Sequence, residues 1–131
     1  MKNIWVNGCF DIVHLGHIRL LDYAKSLGDF LIVGIDGDSR VKKTKGADRP
    51  INNQSFRKEF LESLESVDQV EVFYSDLELE NLIQYYKINT MVVGEEYSPD
   101  QIIGSKFVDT VERFPKFSNL STTNLLKDAH S

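Results

Sequence analysis

Short apolar runs alternate with amphipathic segments along the whole chain. Ile4-Trp5-Val6, the run from Phe30 to Ile35, and the runs around Val70 and Val92-Val93 predict strands over 3–7, 30–36, 69–74 and 90–94, with a weaker fifth near 114–118. Apolar residues at helical spacing, such as Ile18, Leu20, Leu21, Tyr23 and Ala24, predict helices over about 15–27, 54–65, 77–86 and 121–128. Two further short helical pieces are expected between 99 and 113. Unbroken apolar runs suit strands covered on both faces, as in a parallel sheet. Strand–helix alternation implies right-handed crossovers and a doubly wound, five-stranded parallel α/β sheet. Such sheets bind ligands at the carboxyl ends of their strands, beside the topological switch point. No repeat, low-complexity tract or linker interrupts the pattern, so residues 1–131 read as one domain.

Composition narrows the classes. Apolar content of 41% with 27% charged residues is ordinary for a globular protein. No apolar run approaches the ~20 residues of a membrane span, and the N-terminus lacks the basic-then-apolar pattern of a signal peptide. Cys9 is the only cysteine, which fits a reducing compartment. A net charge of −5 argues against general nucleic-acid binding. Any anionic ligand must meet positive charge that is gathered locally.

The first strand runs into Asn7-Gly8-Cys9-Phe10-Asp11-Ile12-Val13-His14-Leu15-Gly16-His17. This reads as a strand end, a glycine-containing turn and a helix start. Unpaired N–H groups in a first helical turn, together with the helix dipole, attract an anion. His14 and His17 are three apart, so both project from one face, where each imidazole can donate to a phosphate oxygen. Gly8 and Gly16 remove side chains where backbone or ligand comes close. The stretch therefore reads as a polyphosphate site. Plainer readings compete: Gly8 as a turn former, Asp11 as a helix cap, the histidines as surface residues. A metal site of Asp11, His14 and His17 is a third alternative, weakened because Cys9 has no partner cysteine.

Arg40 to Arg49 is the densest basic stretch, just past the second strand's end at Asp36-Gly37-Asp38. An isolated Lys/Arg run is usually a solvated loop, but at a strand's carboxyl end it reads as an anion-binding flap. Asp36 and Asp38 read equally as turn residues, as water-mediated magnesium ligands, or as acceptors for substrate hydroxyls. Arg57 has Phe60 and Leu61 three and four residues on, so no helical ion pair explains it and a phosphate contact becomes the better reading. Ser121-Thr122-Thr123 either caps the helix that follows or offers hydroxyls and amides to a phosphate.

Gly8-Cys9-Phe10-Asp11 followed by His14-Leu15-Gly16-His17 resembles the signature of the small nucleotidyltransferases that make CDP- and ADP-linked metabolites. From residue 4 to about residue 127 the chain is most similar to the adenylyltransferase domain of ADP-heptose synthases. The resemblance implies a Rossmann-like nucleotidyltransferase fold, with His14, His17 and Lys45 catalytic. It implies nucleotide contacts from Gly8, Cys9, Phe10, Asp11, Gly16, Lys42, Gly94, Ser121, Thr122 and Thr123. Asp38, Arg57 and Glu96 are the implied substrate contacts, while Arg49 either pins the basic loop or binds an anion. Glu95 and Glu96 depart from the family's Gly-Asp at that point. Pro99 to Lys106 is similar to the heptose branch, and Lys116 to Leu120 lacks the Arg of the CTP-using branch. The role of Lys106 stays open.

The implied reaction joins AMP from ATP to D-glycero-D-manno-heptose 1-phosphate, releasing pyrophosphate, with Mg²⁺ bridging the phosphates and no protein metal cage. A polyanion beside the histidines is expected to favour their protonated forms. The resemblance further implies a cytoplasmic homodimer. Its sugar kinase is expected on a separate chain or absent, since 131 residues leave no room for one. Two alternatives are a CTP-dependent cytidylyltransferase acting on glycerol 3-phosphate or another small phosphate, and a non-catalytic nucleotide-binding module.

Overall fold

The computed structural model describes residues 1–94 and 102–114. Strands β1 (Asn3–Gly8), β2 (Phe30–Asp36), β3 (Gln69–Phe73), β4 (Thr90–Gly94) and β5 (Thr110–Phe114) form one sheet in the order β3-β2-β1-β4-β5. Every neighbouring pair is parallel, with Val6 opposite Val33 and Val33 opposite Val70 in register. Helix α1 (Leu15–Ser26) joins β1 to β2, α2 (Asp38–Lys45) and α3 (Gln54–Glu62) join β2 to β3, and α4 (Asp76–Tyr85) joins β3 to β4. The chain moves one way from β1 to β3 and then returns to place β4 on β1's other side. That reversal opens a crevice at the carboxyl ends of β1 and β4.

Alternation along β1 sends its side chains to two cores. Ile4 and Val6 join Leu21 and Ala24 of α1, Leu61 of α3, and Leu31, Val33 and Ile35 of β2. Trp5 points the other way, to Ile32, Phe73, Met91 and to Leu79 and Ile83 of α4. These residues are at most 1% exposed, and each large apolar chain so buried contributes on the order of 1.5–3 kcal/mol. Gly34 makes room for the tryptophan, since a Cβ there would stand 2.4 Å from Trp5 Cζ2. Asn53 and Ser75 cap α3 and α4, accepting from the amides of Phe56 and Glu78.

Two expectations are corrected. The basic stretch is not a loop in its first half: Asp38–Lys45 is a helix, entered at Gly37 without a side-chain cap. Asp38 in its first turn and Lys42, Lys43 and Lys45 in its last complement the helix dipole. Only Val41 is buried there, so no apolar period was present to be read. The fifth strand lies at Thr110–Phe114 and not near 114–118. Asn89 O draws it in by accepting from the amides of Asp109 and Thr110, and the Thr90 and Thr110 hydroxyls pair at 2.9 Å. Of the span 99–113, where two short helical pieces are expected, residues 99–101 lie outside the described residues, and the described part carries the 3₁₀ turn Ser105–Phe107. The helix expected over 121–128 lies outside the described residues. No described helix is long and apolar enough to cross a membrane.

Candidate active site

A cavity of about 650 Å³ opens at the switch point. The turn after β1 supplies Gly8, Cys9, Phe10 and Asp11, the start of α1 supplies His14 and His17, and the basic segment supplies Lys45 and Arg49. Val92, Val93 and Gly94 of β4, with Ile102 and Ile103, form a largely apolar opposite side.

The two histidines start the helix as well as line the cavity. His14 is extended (φ −126°, ψ 178°) and its Nδ1 accepts from the Gly16 amide at 3.0 Å. His17 Nδ1 accepts from the His14 amide at 3.1 Å. This is a capping box in which ring nitrogens take the places usually held by Ser or Thr and by Glu or Gln. An accepting nitrogen carries no proton, so the proton of each neutral ring sits on Nε2. The rings lie 4.0 Å apart, and the Phe10 ring stands 5.4 Å from that of His17. Phe10 adopts φ +51°, a left-handed conformation rare outside glycine that costs roughly 1–3 kcal/mol.

Burial, and secondarily the charge of His14, lowers the His17 pKa from 6.5 to about 4. Without ligand His17 is therefore a neutral donor at neutral pH. Unfolded His17 takes a proton near 6.5 and the folded ring resists it until about 4. Its contribution to stability is thus fully present above 6.5 and is lost as pH falls through that window. Denaturation midpoints should drop more steeply between pH 6.5 and 4 for wild type than for His17→Gln. Identical slopes in the two proteins would contradict this.

Asp11 caps none of the described helices. Its carboxylate accepts from the amides of Ile51 and Asn52, each at 2.8 Å, and from Arg49 Nε at 3.2 Å. Asn52 Nδ2 donates to its carbonyl. Burial works to raise the Asp11 pKa, but the amides and Arg49 prevail and hold it below the usual carboxylate range. Asp11 lines the cavity, while its carboxylate is engaged by the basic segment and the loop after it.

Arg57 is corrected more sharply. It is 1% exposed and donates to the carbonyls of Asn52, Cys9 and Asp36 and to the Asp38 carboxylate, at 2.7–3.0 Å. It ties the β1 turn, the end of β2, the start of α2 and the following loop together, and no nitrogen is left for a substrate phosphate. Asp38 is engaged in the same tie and lies off the cavity wall. The sequence expectation considered only partners three or four residues away, and these lie 5 to 48 positions distant.

Residues 5–125 match the profile of the family described as cytidylyltransferase-like. The chain belongs to that family. It is similar to the bifunctional protein HldE of Aliarcobacter butzleri (strain RM4018), 44% identical over 96% of this chain and 26% of that protein. HldE of Campylobacter fetus subsp. fetus (strain 82-40) is 44% identical over 94% of this chain and 27% of its own length. The chain thus spans about a quarter of these bifunctional relatives. Among solved structures it resembles the lipopolysaccharide core biosynthesis protein from Thermoplasma volcanium GSS1, with a TM-score of 0.73 and 25% identity, covering 87% of this chain and 97% of that one.

As a member of the cytidylyltransferase-like family, the chain gathers Gly8, Cys9, Phe10, Asp11, His14, His17, Lys45 and Gly94 around one cavity. Gly16 contributes its amide to the His14 cap, and Lys42 stands exposed on α2. Lys106, whose role was open, lies with its Nζ 5.2 Å from the Phe107 ring centroid, off the cavity wall. Glu96, Ser121, Thr122 and Thr123 lie outside the described residues. The sequence reading missed the apolar side, Val92, Val93, Ile102 and Ile103; an apolar pair directly after a strand-end loop was the available signal. Among the described residues no three His, Cys, Asp or Glu side chains form a metal-binding group. Asp11 is spent and Asp36, on the cavity wall, takes Arg40 Nε at 2.8 Å. This donor set does not fit a caged ion of Asp11, His14 and His17. It fits a magnesium ion carried on a nucleotide's phosphates with its own water.

Proposed function

We propose that this nucleotidyltransferase adenylylates a sugar 1-phosphate, D-glycero-D-manno-heptose 1-phosphate, using ATP. Similarity to HldE proteins along nearly the whole chain supports the substrate pair, and similarity to a lipopolysaccharide core biosynthesis protein agrees with its class. The observation that carries the chemistry is the mutual histidine cap at the mouth of α1, facing a cavity that also holds Lys45. An oxygen of the sugar phosphate attacks the α-phosphorus of ATP. A new P–O bond forms there as the α–β bridging P–O bond breaks, and pyrophosphate leaves with the bonding electrons. No covalent enzyme intermediate is needed. Catalysis is positioning plus stabilisation of charge on the α-phosphate and leaving group. His14 and His17 donate from Nε2, the α1 amides add their dipole, and Lys45 follows the outer phosphates on its flexible stem. Asp36 would hold a magnesium ion through water, and that ion would supply neutralising charge to the phosphates.

The apolar side formed by Val93, Ile102 and Ile103 offers a nucleoside a surface on which to lie. Pyrophosphate release should be faster with ATP than with CTP, and faster with heptose 1-phosphate than with glycerol 3-phosphate. Preference for CTP and glycerol 3-phosphate would replace this reading with a cytidylyltransferase. Tight ATP binding without turnover on any acceptor would replace it with a binding module.

A further inference from the structure

Arg49 faces the same cavity as Lys45, and these are the two side-chain cations among the described residues that line it besides the histidines. Its guanidinium is held at one atom, Nε, by Asp11 Oδ2. Asp11 is 4% exposed and fixed by two amides, whereas the Arg49 side chain is 35% exposed. Among the described residues the two terminal nitrogens of Arg49 have no hydrogen-bond partner. Arg40 and Arg57, in contrast, are engaged by Asp36 and Asp76 and by Asp38 with three carbonyls. The basic segment therefore presents one arginine whose orientation is set from behind and whose front is unspent.

We propose that Arg49 receives the phosphate monoester of the acceptor, its terminal nitrogens donating as a fork to two oxygens while Nε stays on Asp11. The assignment rests on the transferase reading above. That reaction places two different demands on cations. The pyrophosphate group moves away as the bridging bond breaks, which suits the exposed, flexible Lys45 ammonium. The attacking monoester must instead stay in line with the α-phosphorus, which suits a planar fork locked at its third nitrogen. Of the three non-bridging oxygens, one forms the new bond and two remain on Arg49. A phosphate monoester is largely dianionic at neutral pH, so the attacking oxygen need not give up a proton.

The test is calorimetry on wild type, Arg49→Lys and Asp11→Asn. Magnesium α,β-methylene-ATP is titrated first. Heptose 1-phosphate and glycerol 3-phosphate are then titrated into the nucleotide-loaded proteins. For whichever monoester wild type binds, Arg49→Lys should weaken it about 10–100-fold, since lysine keeps the charge but loses the fork. The ATP analogue should change less than about threefold, which also shows that the variant is folded. Asp11→Asn, which loosens the grip from behind, should weaken the monoester by a smaller factor. Equal weakening of nucleotide and monoester, or unchanged monoester binding, would overturn the assignment. So would a wild type that binds the analogue but neither monoester. A wild type that does not bind the analogue contradicts the transferase reading itself.

Discussion

Replacing His17 by glutamine is expected to lower kcat for pyrophosphate release by about 10²–10³-fold while the protein stays folded, the loss typical of removing one donor to developing charge. Glutamine is the informative choice because of what His17 does at the helix start. Its Nδ1 accepts the His14 amide, and Gln at that helical position makes the same return contact in ordinary capping boxes. The substitution keeps the cap and removes the Nε2–H. His17→Ala should show the same loss of turnover and in addition about 1 kcal/mol of stability, because the cap goes too. Comparing turnover and denaturant midpoint for the two variants separates the roles. Wild-type turnover in His17→Gln would reduce the histidine pair to a structural cap.

Arg57→Ala is expected to cost roughly 3–5 kcal/mol, since it strands the acceptors of a buried cation. Three carbonyls and the Asp38 carboxylate all face that guanidinium. Equilibrium urea unfolding measures the loss directly. Should Arg57→Ala fail to accumulate folded, Arg57→Lys serves instead. One ammonium cannot reach four acceptors arranged for a planar fork, so a clearly lowered midpoint is still expected. A midpoint equal to wild type in either variant would mean that the tie between β1, β2 and α2 is dispensable.

Much of the fold was legible because the sheet is covered on both faces. The runs that became β1, β2 and β4 have unbroken apolar centres, β3 alternates polar and apolar residues, and α1 and α4 carry Leu21, Ala24, Leu79 and Ile83 at helical spacing. α2 was illegible because a single buried valine gives no period, and its stability comes from charge at its ends and from ties to Arg57 and Asp36. β5 was misplaced because it is half exposed and mixes Thr, Glu and Arg with Val and Phe, so pairing with β4 and not its own pattern decides where it begins. That the histidine turn joins a strand to a helix start with both rings on one side could be read from its spacing. That the same imidazoles also cap the helix could not, since capping preferences point to Ser, Thr, Asp and Asn. Asp11 and Arg57 were read against neighbours in sequence, whereas their partners are backbone groups brought in by the β2–β3 connection.

Asp11 has a mechanical corollary. By holding Ile51, Asn52 and Arg49 at once, it makes the histidine turn and the basic loop a single stiff jaw. Neither part can be reshaped to suit a new partner molecule without dragging the other. Latitude for altered selectivity therefore lies across the gap, with the partly buried Val93, Ile102 and Ile103, which Asp11 does not tie to the jaw.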